Sequence, residues 1–430
     1  MTSSTDLPID ETSRACLAEQ GLTLRLVDPT DAGDHAAWFH AESRGFLGPT
    51  LPDEQVEARR TGLVDGRRLV AVLDPTAADP TSPVATTICW PADLTVPGRR
   101  SVPAWAVSGV TVAPTHRRRG IARALLDAEL RTAVALGCPV AVLTVSESTI
   151  YGRFGFAPAA LARDLTVLTR RVRWTGPTPT GRVHFVSPEQ LREAGLALVE
   201  GVRLEAPGQI SYEGHLWDRQ IGLAAGDSNA KNLRCVRYDD AGGSPQGFAV
   251  YQLMEDPSDF VEHELTLHAL VATTTDAYAG LWRFLLEMDL VSKVSAHLRP
   301  VDEPLRWMID DFRAVRVNEF DHLWVRVLDV PAALTARTYS APGRLVLGVD
   351  DPDGFAAGTW AIEVDARGGA TVEPSDDPAD ATVTATALGS LYLGGVSAST
   401  LAAAGTLTGD VARVDATFRS TVAPYLSIWF

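Results

Sequence analysis

The stretch Val110-Thr111-Val112-Ala113-Pro114-Thr115-His116-Arg117-Arg118-Arg119-Gly120-Ile121-Ala122-Arg123 organises the reading of this chain. The residues leading into it, AWAVSGVTV (104–112), are apolar and β-branched and read as a strand. Beyond Pro114, apolar side chains recur at Ile121, Leu125, Leu126, Leu130 and Val134, the spacing of a helix that Gly137 stops. A strand therefore enters a tight basic turn and passes straight into a helix. The first-turn N–H groups of such a helix have no partner in the helix, and with its dipole they attract an anion such as a pyrophosphate. Gly120 and Ala122 are small enough to let phosphate oxygens reach the backbone, and the arginines add charge-assisted bonds. GxxxxGK[ST] and GxGxxG are both absent, which excludes a nucleotide P-loop and a dinucleotide fingerprint.

Working outward, LTLRLV (22–27), RRLVAVLD (67–74), PVATTICW (83–90) and PVAVLTVS (139–146) read as strands, and Asp31 can cap a helix through HAAWFHAES. Strands alternating with helices make an α/β domain, which ends near residue 174 where WTGPTPTG reads as a linker. VTVAPTHRRRGIARALLDAEL then aligns without gaps to LVATTTDAYAGLWRFLLEMDL, placing Gly120 on Gly280 and Arg123 on Arg283. Arg117 to Arg119 become Ala277, Tyr278 and Ala279, so the second copy is expected to be structural. From about residue 331, RLVLGVDD (344–351), a hairpin around Arg367-Gly368-Gly369, and a further strand and helix in ATVTATALGSLYLGGVSASTLAAAG predict a small α+β domain. The expected division is thus 1–174, 175–330 and 331–430. The chain ends on Pro424-Tyr425-Leu426-Ser427-Ile428-Trp429-Phe430, an aromatic run that is expected to be packed.

Composition narrows the function. The net charge of −16 opposes a nucleic-acid partner, because phosphate binding needs a basic field. It suits cationic substrates such as polyamines or amino sugars, although taken by itself the charge is better read as serving solubility. Cys16, Cys89, Cys138 and Cys235 lie far apart with no CxxC pair, which argues against a disulfide framework or metal site. No basic start followed by an apolar core opens the chain, and no run of about 18 apolar residues crosses it, so neither a signal peptide nor a membrane span is expected. A cytoplasmic protein is expected. His263 and His268 lie five apart in a strand-like segment, on opposite faces, and do not make an HExxH zinc motif. Asp376, Asp377 and Asp380 read as a solvated loop, and no metal is expected.

The second chemical signal is Ser146-Glu147-Ser148-Thr149-Ile150-Tyr151-Gly152-Arg153-Phe154-Gly155-Phe156, directly after the strand 139–146. A tyrosine with an ordinary pKa of about 10 is protonated at neutral pH and can act as an acid toward a departing thiolate. Trp38, Phe39 and Phe46 fit either an acceptor pocket or a core equally well.

Arg117, Gly120 and Ala122 resemble the R/Q-x-x-G-x-G/A signature of the GNAT acetyltransferases. Together with SESTIYGRFGF, LWVRVLDVPAAL (323–334) and the aromatic end, they resemble the Eis (enhanced intracellular survival) family along essentially the whole chain. The resemblance implies tandem GNAT folds, α/β in class with the second degenerate, followed by a sterol-carrier-protein-like α+β domain. It implies a homo-hexamer that transfers acetyl from acetyl-CoA to amines, notably aminoglycosides. By motif, Val110, Thr111 and Val112 would hold the pantetheine, with an N–H of this strand polarising the thioester carbonyl. Arg118, Arg119, Gly120, Ile121, Ala122 and Arg123 would hold the pyrophosphate, and Ser146 and Glu147 would line the cofactor. Tyr151 would be the general acid, and the carboxylate of Phe430 the general base. An α-carboxylate with its ordinary pKa of about 3.5 is a poor base, so burial or a water relay would have to assist it. Trp429 stands where the family's aminoglycoside-acting members tend to carry an acid. Protein-lysine or arylamine acetylation, or lipid binding around a vestigial site, are the competing readings.

Overall fold

The computed structural model describes residues 7–63, 66–212, 214–227, 229–257, 259 and 262–430. Local chemistry accounts for the first helices. Asp10 accepts from the Ser13 N–H at 2.7 Å and starts α1 (Glu11–Ala18), and Asp31 accepts from the Asp34 N–H at 2.9 Å and starts α2 (Ala32–Gly45). A third helix, α3 (Asp53–Leu63), follows. Strands β1 (Thr23–Leu26), β2 (Arg68–Leu73), β3 (Ala85–Val96) and β4 (Arg100–Val112) pair antiparallel in that order. Helix α4 (Ile121–Ala135) then crosses over, so β5 (Val140–Thr144) returns parallel to β4. α4 buries Ile121, Leu125, Leu126 and Leu130, the apolar face that its sequence spacing requires. A single helical turn, α5 (Ser148–Tyr151), leads to β6 (Ala157–Leu168).

The chain divides into two compact units, and the division falls inside β6. The second unit, Ala160–His322 with Ala423–Trp429, repeats the plan of the first. Strand β7 (Arg182–Val186) precedes α6 (Pro188–Arg203) and α7 (Gly214–Ile221). Strands β8 (Leu233–Asp239), β9 (Pro245–Met254) and β10 (His263–Ala272) complete an antiparallel β7-β8-β9-β10 order. Helix α8 (Thr275–Leu286) crosses over to a parallel β11 (Val291–Arg299), which pairs antiparallel with β6. Strand β12 (Val315–Val327) ends back in the first unit, where residues 323–327 pair antiparallel with β5. Each copy's last strand thus pairs with the other copy's crossover strand: β12 with β5 and β6 with β11. The repeat seen at 110–130 and 270–290 extends to the topology, with β4–α4–β5 matched by β10–α8–β11. His263 and His268 lie within β10 as expected.

The rest of the first unit is the C-terminal α+β part. It comprises α9 (Val330–Ala336), β13 (Gly343–Asp350), β14 (Gly358–Val364), β15 (Ala370–Pro374) and β16 (Ala381–Thr384), then α10 (Ala385–Tyr392), α11 (Ala398–Ala403), β17 (Leu407–Gly409) and α12 (Val411–Phe418). Its sheet runs β15-β14-β13-β16-β17. Gly368, at φ +80°, makes the predicted hairpin bend between β14 and β15. The stretch expected to hold one helix holds two, α10 and α11, because Gly394 takes φ +79° and ends the first. Arg337 is fully buried; it donates to the carbonyls of Leu391 and Tyr392 at the end of α10, and to that of Phe418 at 2.7 Å. Asp380, expected to be solvated, accepts from the Val346 N–H at 2.8 Å and pairs with Arg413 at 3.0 Å.

Candidate functional site

The site begins with a fault in the β3–β4 ladder. Thr86 lies opposite Thr111 but Ile88 lies opposite Ser108, so β4 carries one extra residue there. Gly109 absorbs it at φ +59°, and a Cβ at that position would stand 2.9 Å from Ile88 Cγ2. The bulge turns β4 away from β5. Their parallel pairing covers Ala104, Ala106 and the residue between, and among the described residues it goes no further. On the β5 side, residues 110–112 therefore face a gap while Thr111 and Val112 stay paired with β3, leaving an edge that an extended ligand can join through main-chain hydrogen bonds.

At the end of β4 the chain turns through Arg118 at φ +63° and Gly120 at φ +74° into α4. A non-glycine residue in that region costs about 1 kcal/mol. No side chain caps α4, and its first turn carries no acid. The N-terminal amides are thus left for an anion, with the helix dipole behind them. His116, itself in the cavity lining, braces the turn, its Nε2 3.0 Å from Asp74 and its Nδ1 2.8 Å from the Thr115 hydroxyl. Hydrogen bonds from Thr76 and then His116 hold the Asp74 carboxyl well below the usual carboxylate range.

A cavity of about 580 Å³ joins this turn to the segment after β5. Of the residues expected from the sequence, Val110, Thr111, Val112, Arg118, Gly120, Ile121, Ala122, Arg123, Ser146, Glu147 and Tyr151 line it. Arg119 does not: its guanidinium donates to the Gln20 carbonyl at 3.2 Å, because the turn directs it toward the end of α1. Phe430 is not in the lining either; it is buried, its ring meets Trp90 edge-on at 5.4 Å, and an oxygen of it accepts from the Thr144 hydroxyl at the end of β5. Tyr151 closes α5 and is 8% exposed; burial, reinforced by Glu147, pushes its phenol up to about 12, so it stays protonated at neutral pH.

The three aromatics of α2 and its C-terminal end separate. Trp38 and Phe39 are buried in the core, Trp38 donating to the Val70 carbonyl at 2.9 Å, while Phe46 is half exposed and lines the cavity. Gly45 lets the end of α2 lie on β4, since a Cβ there would fall 2.4 Å from Thr111 Cβ. Sequence reasoning missed Gly45, Arg153 and Phe154 in the lining, and also Thr144. The Y-G-R-F context held the signal for Arg153 and Phe154; nothing local marked Thr144. The C-terminal part of the unit contributes from beneath. Arg326 on β12 is fully buried against Asp351 at 2.8 and 2.9 Å, and Gly155 rests on its guanidinium, where a Cβ would come within 2.6 Å. Asp353 stands 4.0 Å from Arg123, whose guanidinium covers Phe154 at 5.3 Å.

The corresponding turn of the second unit is closed. Thr274 caps α8 by accepting from the Ala277 N–H at 3.1 Å, and Asp276 in the first turn takes the Tyr238 hydroxyl and, at 3.1 Å, the Thr180 N–H. Among the described residues, no group of three or more His, Cys, Asp or Glu side chains is placed to hold a metal, and no helix is long and apolar enough to cross a membrane.

An open strand edge beside an uncapped helix, with a protonated tyrosine across the cavity, fits an acyl-CoA thioester. The family comparisons agree with that geometry. Residues 27–159 and 208–327 each match the model of an acetyltransferase (GNAT) domain, and residues 330–427 match that of a sterol carrier protein domain. Fold and site thus define a tandem GNAT acetyltransferase with a sterol-carrier-like domain. The chain is 36% identical to an uncharacterized N-acetyltransferase of Streptomyces avermitilis, over 93% of this chain and 97% of the relative. It is also 36% identical to N-acetyltransferase Eis of Mycobacterium tuberculosis, over 93% and 98%. The crystal structure of Eis1 from Mycobacterium abscessus superposes with a TM-score of 0.78 at 28% identity, covering 95% of this chain and 100% of that one. The chain belongs to the Eis family of GNAT N-acetyltransferases.

Proposed function

We propose that this enzyme transfers acetyl from acetyl-CoA to the amine of an amino sugar of the aminoglycoside kind, by direct attack within a ternary complex. One observation carries the reading: the uncapped N-terminus of α4, the stretch 110–112 of β4 that is open on its β5 side and the Tyr151 phenol share one cavity. Acetyl-CoA supplies the activated acetyl group. The amides at the start of α4, with Arg118 and Arg123, hold its pyrophosphate, and the 110–112 edge holds the pantetheine and polarises the thioester carbonyl. Ser146 and Glu147 line its path. The Tyr151 hydroxyl donates the proton that the departing thiolate needs, and the Phe430 carboxylate accepts the proton of the amine. Arg119 acts in this scheme only through the field of the turn, because its guanidinium is engaged at Gln20.

The proposed division of labour assigns residues 1–174 to catalysis, 175–330 to a degenerate GNAT fold, and 331–430 to a domain that ends on the base. Family membership supports a hexamer, and four unpaired cysteines suit a cytoplasmic setting. Light scattering that gave a monomer mass would remove the hexamer. A second acceptor class is favoured by Trp429, which is 42% exposed beside Phe430 in the chain and offers an aromatic surface to arylamines or peptide lysines. Thiol release from acetyl-CoA, measured against aminoglycosides, arylamines and lysine peptides, separates the classes. Failure to bind acetyl-CoA in calorimetry would refute the enzyme mechanism and leave the lipid-binding alternative.

A further inference from the structure

The proposed base is fixed by groups that the acetyl-transfer scheme leaves out. Phe430 is 6% exposed, its ring packed edge-on against Trp90, and the Arg67 guanidinium covers the face of the same indole at 4.0 Å. These contacts hold the side chain and leave the carboxylate to be oriented separately. The group that meets it is the hydroxyl of Thr144, the last residue of β5, two positions before Ser146 of the cavity. Backbone pairing of Thr144 with Leu323 already sets the course of the strand, so packing alone makes no demand for a hydroxyl at this position.

We propose that Thr144 is a positioning residue for acetyl transfer: its hydroxyl donates to one oxygen of the Phe430 carboxylate and leaves the other to take the proton of the amine. The inference rests on the reading of that carboxylate as the base. A hydrogen bond donated to the ionised form favours it, so Thr144 exchanges some basicity for orientation. The other charged or titratable groups around this end of the chain include Arg67, Arg219 and His322, with Asp164 and Asp321 acting on His322. Arg219 donates to the Trp429 carbonyl, and the His322 Nε2 lies 2.8 Å from the Ile428 carbonyl. Burial holds His322 at about 4, so it is neutral in the working range.

The test uses the full-length enzyme and the pH dependence of kcat. Thr144→Val is expected to lower kcat about tenfold, the loss of one hydrogen bond to a charged group. KM for acetyl-CoA should hold, and the acid limb of the profile should move to higher pH. Thr144→Ser should restore both values. Wild-type kcat in Thr144→Val, or equal losses in both variants with the acid limb unmoved, would overturn the proposal. Deletion of Phe430 tells the two readings apart. Undiminished turnover in the deletion means that the base assignment has failed. Lost turnover there, with wild-type kinetics in Thr144→Val, means that only the role of Thr144 has failed.

Discussion

Residues 110–130 and 270–290 both run from a strand into an amphipathic helix, yet one helix begins open and the other begins filled. In the first, the chain spends Arg118 and Gly120 on positive φ, and α4 starts at Ile121 with no cap. In the second, α8 starts at Thr275, so Leu281, the counterpart of Ile121, already lies well inside the helix. Tyr278, in the place of Arg118, is turned inward, and its hydroxyl donates to Glu303, which also receives Trp282 at 3.1 Å and Arg299 at 3.0 Å. Gly280 is helical and keeps room for Tyr238, since a Cβ there would stand 2.2 Å from that ring. The difference teaches what an anion site at a helix start requires: amides that the protein has declined to satisfy itself. Where Thr274 satisfies one of them and Asp276 already places a carboxylate in the first turn, the dipole is still present but no ligand is needed.

That comparison can be broken at either end. The largest effect is expected at Glu303→Ala, which strands Arg299 in the core of the second unit. Stability should fall by about 3–5 kcal/mol in denaturant titrations, with the acetyl-CoA Kd of the remaining folded protein unchanged. Tyr151→Phe acts on the open copy alone: turnover should drop about 100-fold while calorimetric acetyl-CoA affinity holds. An equal loss of affinity would make Tyr151 a binding group and not an acid. Gly120→Val forces a β-branched residue into φ +74° at the mouth of the site, and should weaken acetyl-CoA about tenfold with a modest fall in Tm. Its mirror is Thr274→Ala in the closed copy, worth about 1 kcal/mol of stability and nothing in acetyl-CoA affinity.

The smallest effect is electrostatic. Burial, opposed by Arg59, pushes Glu42 on α2 up to about 7. A carboxyl whose pKa is raised on folding binds more protons in the folded state. This stabilisation is present below the ordinary value of 4.5 and is lost as pH rises through about 7. Glu42→Gln should flatten the decline of Tm across that window; an unchanged slope would assign the decline to other groups.

Much of this was legible in one dimension. The strand-turn-helix at 104–137, the cap at Asp31, the hairpin at Gly368 and the repeat itself follow from periodicity and turn chemistry, which act within a few residues. The lining of the cavity was legible to the same extent, because a single continuous turn supplies most of it. Arg119 departed because three successive arginines carry the same sign of charge but each points a different way once φ at Arg118 is positive. Trp38 within α2 and Phe46 just past its end could not be told apart until the packing of α2 on β4 through Gly45 and Thr111 was known.

The sequence alone thus determined which segments are strands and helices, that one turn is built for an anion, and that its second copy has lost the charges to match. These are properties of residues near one another in the chain. Only the tertiary structure decided the exchange of β6 and β12 between the copies, the opening of β4 from β5 at the Gly109 bulge, the seat of Asp351 beneath Arg326, and the meeting of Thr144 with Phe430. Each joins residues whose separation along the chain carries no periodic signal, so only packing and the completion of buried hydrogen bonds could bring them together.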